Sequence, residues 1–181
     1  MIYIFLAEGF EELEVIAPRD ILKRSKFVVK MVGCGQEMVT STLGLTIKTD
    51  IQIENSITRN LEAIVLPGGM PGTEKLNKCE KVHEIIKFCM KENILIGAIC
   101  AAPTILGKMG LLKNKYATCF PGCENDLQGA ILSQDSVCQD GNIITSKGPG
   151  TAMEFGFSLV NYLKSELSMQ FIKKSMHYSA T

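Results

Sequence analysis

Short apolar runs limit this chain more than any other feature. Residues 2–6, 63–66 and 94–99 are almost wholly apolar, too short for helices and suited to strands buried on both faces. Between them apolar residues recur at helical spacing, as Leu13, Ile16, Ala17, Ile21 and Leu22, and again as Val82, Ile85, Ile86, Cys89 and Met90. Alternating strands and helices predict an α/β fold, a mostly parallel sheet sandwiched by helices and joined by right-handed crossovers. At 181 residues the chain fits one domain spanning 1–181.

The remaining pattern fills in that frame. Residues 27–32 read as a second strand, and alternation over 45–53 predicts a half-exposed segment. Asp140-Gly141 between Val137 and Ile143-Ile144 is a hairpin signal. Helical spacing returns over 101–109 and 151–164, with a final helix over 168–176. Pro18 is expected to bend or interrupt the first helix, because it removes an N–H from the ladder.

Composition excludes several classes of partner. Lys plus Arg equals Asp plus Glu at 19 each, so no net field draws the chain to nucleic acid or an anionic membrane. No apolar run approaches the roughly 18 residues that cross a bilayer, and acidic residues follow the first apolar run too soon for a signal peptide. The expectation is a soluble cytoplasmic protein. Its seven cysteines are odd in number and include no C-x-x-C pair, which favours free thiols in a reducing compartment. Cys119 and Cys123 stand four apart, but neither His83 nor His177 has ligand spacing to them, so no metal is expected.

In sheets of this kind ligands bind beyond the carboxyl ends of the strands. Three predicted loops leave strands on that side: residues 7–12, residues 67–72, and Cys100 with its neighbours. Gly97-Ala98-Ile99-Cys100-Ala101-Ala102-Pro103 puts a nucleophile-type residue between a buried strand and a helix start, flanked by the small residues that a nucleophile elbow needs. The positive end of a helix beginning near Ala101 would lower the thiol pKa. Most free cysteines, however, are simply small buried hydrophobes. Backbone N–H groups of Gly69 and Ala101 are candidates for an oxyanion hole, although Pro67-Gly68-Gly69 also reads as a plain turn. Glu11, Glu12 and Glu14 suit the start of a helix. Glu14 is flanked by Leu13, Val15 and Ile16, and an inward-turned carboxyl there would stay protonated and donate to a thiolate.

Taken together, the segment 8–14, Leu66-Pro67-Gly68-Gly69, 98–103 and Thr145-Ser146-Lys147-Gly148-Pro149-Gly150-Thr151 closely resemble the ThiJ/PfpI superfamily, over about residues 2–164. The protease-like branch places a histidine directly after the cysteine. Ala101 stands there instead, so the resemblance is to the DJ-one branch with its bacterial ThiJ-like relatives.

That resemblance implies a flavodoxin-like fold of the class I glutamine amidotransferase type. It implies an oxidisable nucleophile at Cys100, a protonated Glu14 hydrogen-bonded to it, and backbone donors from Gly69 and Ala101. It also implies a pocket near Gly68, Cys119, Phe120, Pro121, Gly148 and Pro149, and a homodimer with the first helix at its contact. Two departures bear on pocket polarity: Phe120 replaces a histidine of some members, and Leu43 an arginine.

The implied function is a cofactor-free glyoxalase or protein deglycase, whose substrate is a small reactive carbonyl such as methylglyoxal, glyoxal or their early adducts. A redox sensor, with Cys100 oxidised to a sulfinic acid and Cys119 as a candidate resolving thiol, is the alternative. A cysteine peptidase ranks below both, for want of a histidine base.

Overall fold

The computed structural model describes residues 1–179; the last two positions of the domain read as 1–181 lie outside the described residues. Along the chain run β1 (Ile2–Leu6), α1 (Glu12–Arg24), β2 (Val29–Gly33), β3 (Met38–Thr40), β4 (Thr46–Lys48), β5 (Ile51–Gln52) and β6 (Ala63–Leu66). Helices α2 (Gly72–Lys78) and α3 (Glu80–Lys91) follow, then β7 (Leu95–Ile99), α4 (Pro103–Lys108), β8 (Tyr116–Ala117) and β9 (Ile131–Leu132). The chain closes with β10 (Val137–Asp140), β11 (Ile143–Ser146), α5 (Ala152–Leu163) and α6 (Glu166–Ser175).

Seven strands form one sheet in the order β10-β11-β7-β6-β1-β2-β5. Every pairing is parallel except β10 with β11, the hairpin at Asp140-Gly141. The period-2 alternation of a strand sends its side chains to both faces. Tyr3 and Phe5 therefore join Leu66, Ile86, Ile96 and Leu106 on one side, while Ile2, Ile4 and Leu6 join Val15, Ile99, Phe155 and Val160 on the other. That double burial is why the short runs lack a polar face.

Pro18 lies inside α1, which runs unbroken from Glu12 to Arg24. The helix survives because its buried face is pressed against α5: a Cβ on Gly156 would lie 3.1 Å from Pro18 Cα and 2.7 Å from Ile21 Cδ1. Tertiary packing thus outweighs the lost hydrogen bond. Several elements have no counterpart in the sequence pattern: β3, α2, which begins where the Pro67–Gly72 loop was expected to end, and the two-residue parallel ladder of β8 and β9. The half-exposed segment over 45–53 resolves into β4, paired with β3 in an antiparallel ribbon, and β5 at the sheet edge.

Candidate active site

The loops that leave β1, β6 and β7 converge at the carboxyl ends of the three central strands, and backbone hydrogen bonds tie them together. Glu11 N–H donates to Gly68 O at 3.0 Å, and Gly72 N–H donates to Gly9 O at 3.3 Å. Gly9 and Gly69 carry φ of +88° and +90°. Side chains would not fit at either, since a Cβ on Gly69 would meet Gly9 O and Glu11 N at 2.5 Å. The glycines of both loops are therefore dictated by close contact between backbones.

Cys100 follows β7 with φ of +65°, a left-handed conformation that ordinary residues avoid. Its N–H donates to Ser146 O at 2.9 Å and its carbonyl accepts from Phe120 N–H at 2.8 Å. Held at both backbone ends, it forms the sharp strand-to-helix turn of a nucleophile elbow.

Glu14 projects from the first turns of α1 and is fully buried. Gly68 N–H donates to its Oε2 at 2.7 Å, while Oε1 has no hydrogen-bond partner among the described residues. The carboxyl lies against the Cys100 side chain, and the two groups shift each other's ionisation. Gly68 makes this meeting sterically possible: a Cβ there would lie 2.7 Å from both Glu14 Oε2 and Cys100 Cβ, and 3.1 Å from Cys100 Sγ.

The electrostatics of the pair follow from burial. Loss of water raises the Glu14 carboxyl to about 7, against the lowering effect of Gly68 N–H. Burial, followed by the charge and hydrogen bond of Glu14, pushes the Cys100 thiol up to about 12, while the N–H groups of Ala101 and Gly69 donate to the sulfur and oppose the rise. Coulomb repulsion from Glu14 exists only when Glu14 is ionised, so the higher value describes the second proton leaving a pair that has already lost its first.

The expected helix start near Ala101 is corrected here. Helix α4 begins at Pro103 and spans six residues, too short and too distant to act as a strong dipole. The expected lowering of the thiol is corrected with it: the thiol is raised, and the N–H groups of Ala101 and Gly69 only oppose that rise.

A cleft of about 610 Å³ opens over Cys100, lined by Gly69, Ala101 and Phe120 among others. Of the predicted pocket residues, Gly68 lies behind it between Glu14 and Cys100, and Gly148 supports it, since a Cβ on Gly148 would lie 3.2 Å from Phe120 Cδ2. Cys119 and Pro121 are not in its wall. They line a separate cavity of about 260 Å³ with Thr118 and Lys147, because successive residues on either side of Phe120 turn away from it. Pro149 borders neither cavity. Burial, and after it Glu124, Cys123 and Asp126, raises the Cys119 thiol, and Cys119 is not part of the Cys100 cleft wall. Cys123 is the second thiol in the wall of the Cys100 cleft.

Residues absent from the sequence reading complete the cleft: Thr73, Glu74 and Asn77 from α2, Thr104 and Lys108 from α4, and Asp126. Neither histidine lines it. Among the described residues no group of three or more His, Cys, Asp and Glu side chains is placed to hold a metal ion, and no helix is long and apolar enough to cross a membrane.

Known proteins share this arrangement of loops. The DJ-1/PfpI family pattern matches residues 1–162. The glutathione-independent glyoxalase DJR-1.2 of Caenorhabditis elegans is 36% identical over 158 residues, covering 87% of this chain and 84% of the worm protein. A deglycase of Pyrococcus abyssi is 30% identical over 165 residues, covering 90% and 99%. Among solved structures, oxidised DJ-1 of Toxoplasma gondii aligns with a TM-score of 0.94 at 28% identity, covering 99% of this chain and 98% of that one. With an elbow cysteine, a buried carboxyl against it and a family match that takes in all the loops around them, this chain belongs to the DJ-1/PfpI family.

Proposed function

We propose that the chain is a cofactor-free glyoxalase or deglycase in which Cys100 is the nucleophile and Glu14 the proton carrier. The observation that carries the reading is the packing of the buried Glu14 carboxyl against Cys100 across Gly68, beneath an open cleft. Two relatives with those activities in their names, a glyoxalase and a deglycase, support the reaction class.

The starting state holds one proton between two groups, and we assign it to Glu14. The carboxyl is fully buried with a single N–H donor, whereas the sulfur borders the cleft and receives two. A charge settles where donors and solvent are available. With methylglyoxal, the thiolate adds to the aldehyde carbon and the carbonyl π pair becomes an oxyanion facing Gly69 and Ala101. Glu14 protonates that oxygen, giving a hemithioacetal and leaving a carboxylate. The carboxylate then removes the C1 hydrogen and returns it to C2, while the C1 hydroxyl proton passes to the C2 oxygen, converting the hemithioacetal to a thioester. Water adds to the thioester and displaces the thiolate, giving one proton back to Glu14 and releasing lactate with the other.

Lactate formation from methylglyoxal by the wild type, with none from Cys100→Ser, is the expected result. A wild type that forms no lactate from methylglyoxal and no glycolate from glyoxal, and leaves adducted peptides unchanged, would overturn it.

A second reading rests on the same sulfur. A protonated Glu14 beside a half-buried thiolate at the cleft floor is suited to donate to a sulfinate and hold oxidation at that stage. Mass spectrometry after peroxide treatment tests it: a gain of two oxygens at Cys100 that Glu14→Gln alters supports this role, and unmodified Cys100 opposes it.

We further propose a homodimer through α1, where Leu13 is 56% exposed and Ile16 is open to solvent, together with Leu43 in the turn between β3 and β4. Sedimentation of the wild type as a dimer and of Leu13→Glu as a monomer is the expected outcome. A cytoplasmic, reducing setting accords with seven cysteines of which none is bridged.

A further inference from the structure

The walls of the cleft carry charges that the proposed chemistry does not use. Glu11, Glu74 and Asp126 face it, and the one cation in its lining, Lys108, has Nζ 3.0 Å from Asp126 Oδ2. That pair cancels. Among the described residues Glu11 and Glu74 are left without an ion pair, and the only side-chain hydrogen bond to the Glu11 carboxylate is one of 3.4 Å from Thr42 Oγ1.

A separate observation points to a neutral contact. Thr73 is 4% exposed, lines the cleft, and has an Oγ1 with no hydrogen-bond partner. A buried hydroxyl left unpaired is costly, and the cleft is the side from which a ligand can supply the missing bond. Met70 and Phe120 make other parts of the wall apolar.

We infer that this cleft selects carbonyl compounds that are uncharged or cationic and rejects those bearing a carboxylate or phosphate, with Thr73 Oγ1 hydrogen-bonding an oxygen of the bound molecule. The inference deepens the glyoxalase and deglycase reading and rests on it for the word carbonyl. It fits a small dialdehyde or an early adduct on a basic side chain, and it excludes sugar phosphates and glyoxylate. Glu11 and Glu74 are partly open to water, so the discrimination is expected to be moderate and sensitive to salt, which screens exposed charges over about 8 Å at physiological ionic strength.

The experiment reads charge selection without needing catalysis. Cys100 is alkylated by iodoacetamide and, separately, by iodoacetate, and the rates are followed by peptide mass spectrometry. The ratio is divided by that for 2-mercaptoethanol under the same conditions, so the thiolate fraction cancels. At low salt the anionic reagent is expected to be disfavoured about tenfold, the effect of two like charges near a surface. The bias should shrink at high salt and in Glu11→Gln/Glu74→Gln, whose fold is checked by circular dichroism. A normalised ratio near one at low salt, or a bias indifferent to salt and to both substitutions, overturns the inference.

Turnover of methylglyoxal against glyoxylate is the second arm, with kcat/KM expected to follow the same order. Failure to turn over methylglyoxal would sink the enzymatic reading, while the alkylation ratio still decides the charge selection. Thr73→Val is expected to raise KM for methylglyoxal several-fold, in line with loss of one neutral hydrogen bond, with kcat nearly unchanged. An unaltered KM removes Thr73 from the proposal.

Discussion

Cys100 and Cys119 are joined through Phe120, whose N–H donates to the Cys100 carbonyl, yet the two thiols live in different chemistry. Cys100 stands at φ +65° over a cleft, with two N–H donors to sulfur and a buried carboxyl in contact. Cys119 is 4% exposed in a smaller cavity, and its charged neighbours are acidic. Residue type and rough location are shared; the backbone turn and the partner carboxyl are not. On the proposed reading, reactivity belongs to the elbow and to Gly68, which lets Glu14 approach, rather than to cysteine itself.

The sharpest way to break that contrast is to exchange each sulfur for oxygen. Cys100→Ser is expected to lower lactate formation from methylglyoxal by at least ~10³-fold, as loss of a covalent nucleophile does, whereas Cys119→Ser stays within about twofold because its thiol meets neither the cleft nor Glu14. Equal losses in the two variants would erase the distinction. Glu14→Gln keeps a hydrogen-bond donor to sulfur but has no transferable proton, so kcat should fall by roughly 10²-fold or more, within the range of general acid–base catalysis. Alkylation of Cys100 in the same variant should remain fast, which separates proton transfer from thiolate formation.

Gly68→Ala tests the contact itself. Its Cβ would stand 2.7 Å from both Glu14 Oε2 and Cys100 Cβ, so carboxyl and thiol must part. A drop in kcat/KM of about tenfold to a hundredfold is expected from displacement at this scale, together with ~1–3 kcal/mol of destabilisation from overpacking. Wild-type turnover in this variant would show that the contact is dispensable.

A smaller effect lies in stability against pH. Burial raises the first proton loss of the Glu14–Cys100 pair from the ordinary carboxyl value of 4.5 to about 7, so between those values the native pair binds more protons than the unfolded chain, whichever group holds the proton that remains. Stability from this pair is complete below about 4.5 and declines as pH rises to about 7, by on the order of 3 kcal/mol. Glu14→Gln removes the dependence, and denaturant unfolding of both proteins at pH 5 and pH 8 is the check. A wild type as stable at the upper pH as at the lower, relative to the variant, would refute the burial argument.

The sequence revealed the frame of this site more fully than its walls. Strands buried on both faces leave unbroken apolar runs, and Gly97, Ala98, Ala101 and Ala102 around Cys100 announce the elbow. Glu14 was legible because its apolar neighbours implied that the carboxyl turns inward. Helix α2 was not, since it follows a Pro-Gly turn and is only seven residues long, with Leu76 as its one large buried residue; Thr73, Glu74 and Asn77 went unseen with it. Lys108, Cys123 and Asp126 reach the cleft by tertiary contact that no local period encodes. Cys119 and Pro121 were misassigned because side-chain direction in an irregular loop follows no repeat, and Pro18 because packing on α5 overrides propensity.

The central claim, that the shared proton rests on Glu14 and leaves a thiolate at Cys100, is tested most directly by the ultraviolet thiolate absorbance of the wild type minus that of Cys100→Ser, followed across pH. The claim predicts a Cys100 thiolate already formed at neutral pH, with a midpoint well below the ordinary thiol value of about 8.5. A signal that appears only toward pH 12, with an ionised Glu14 below it, would contradict it.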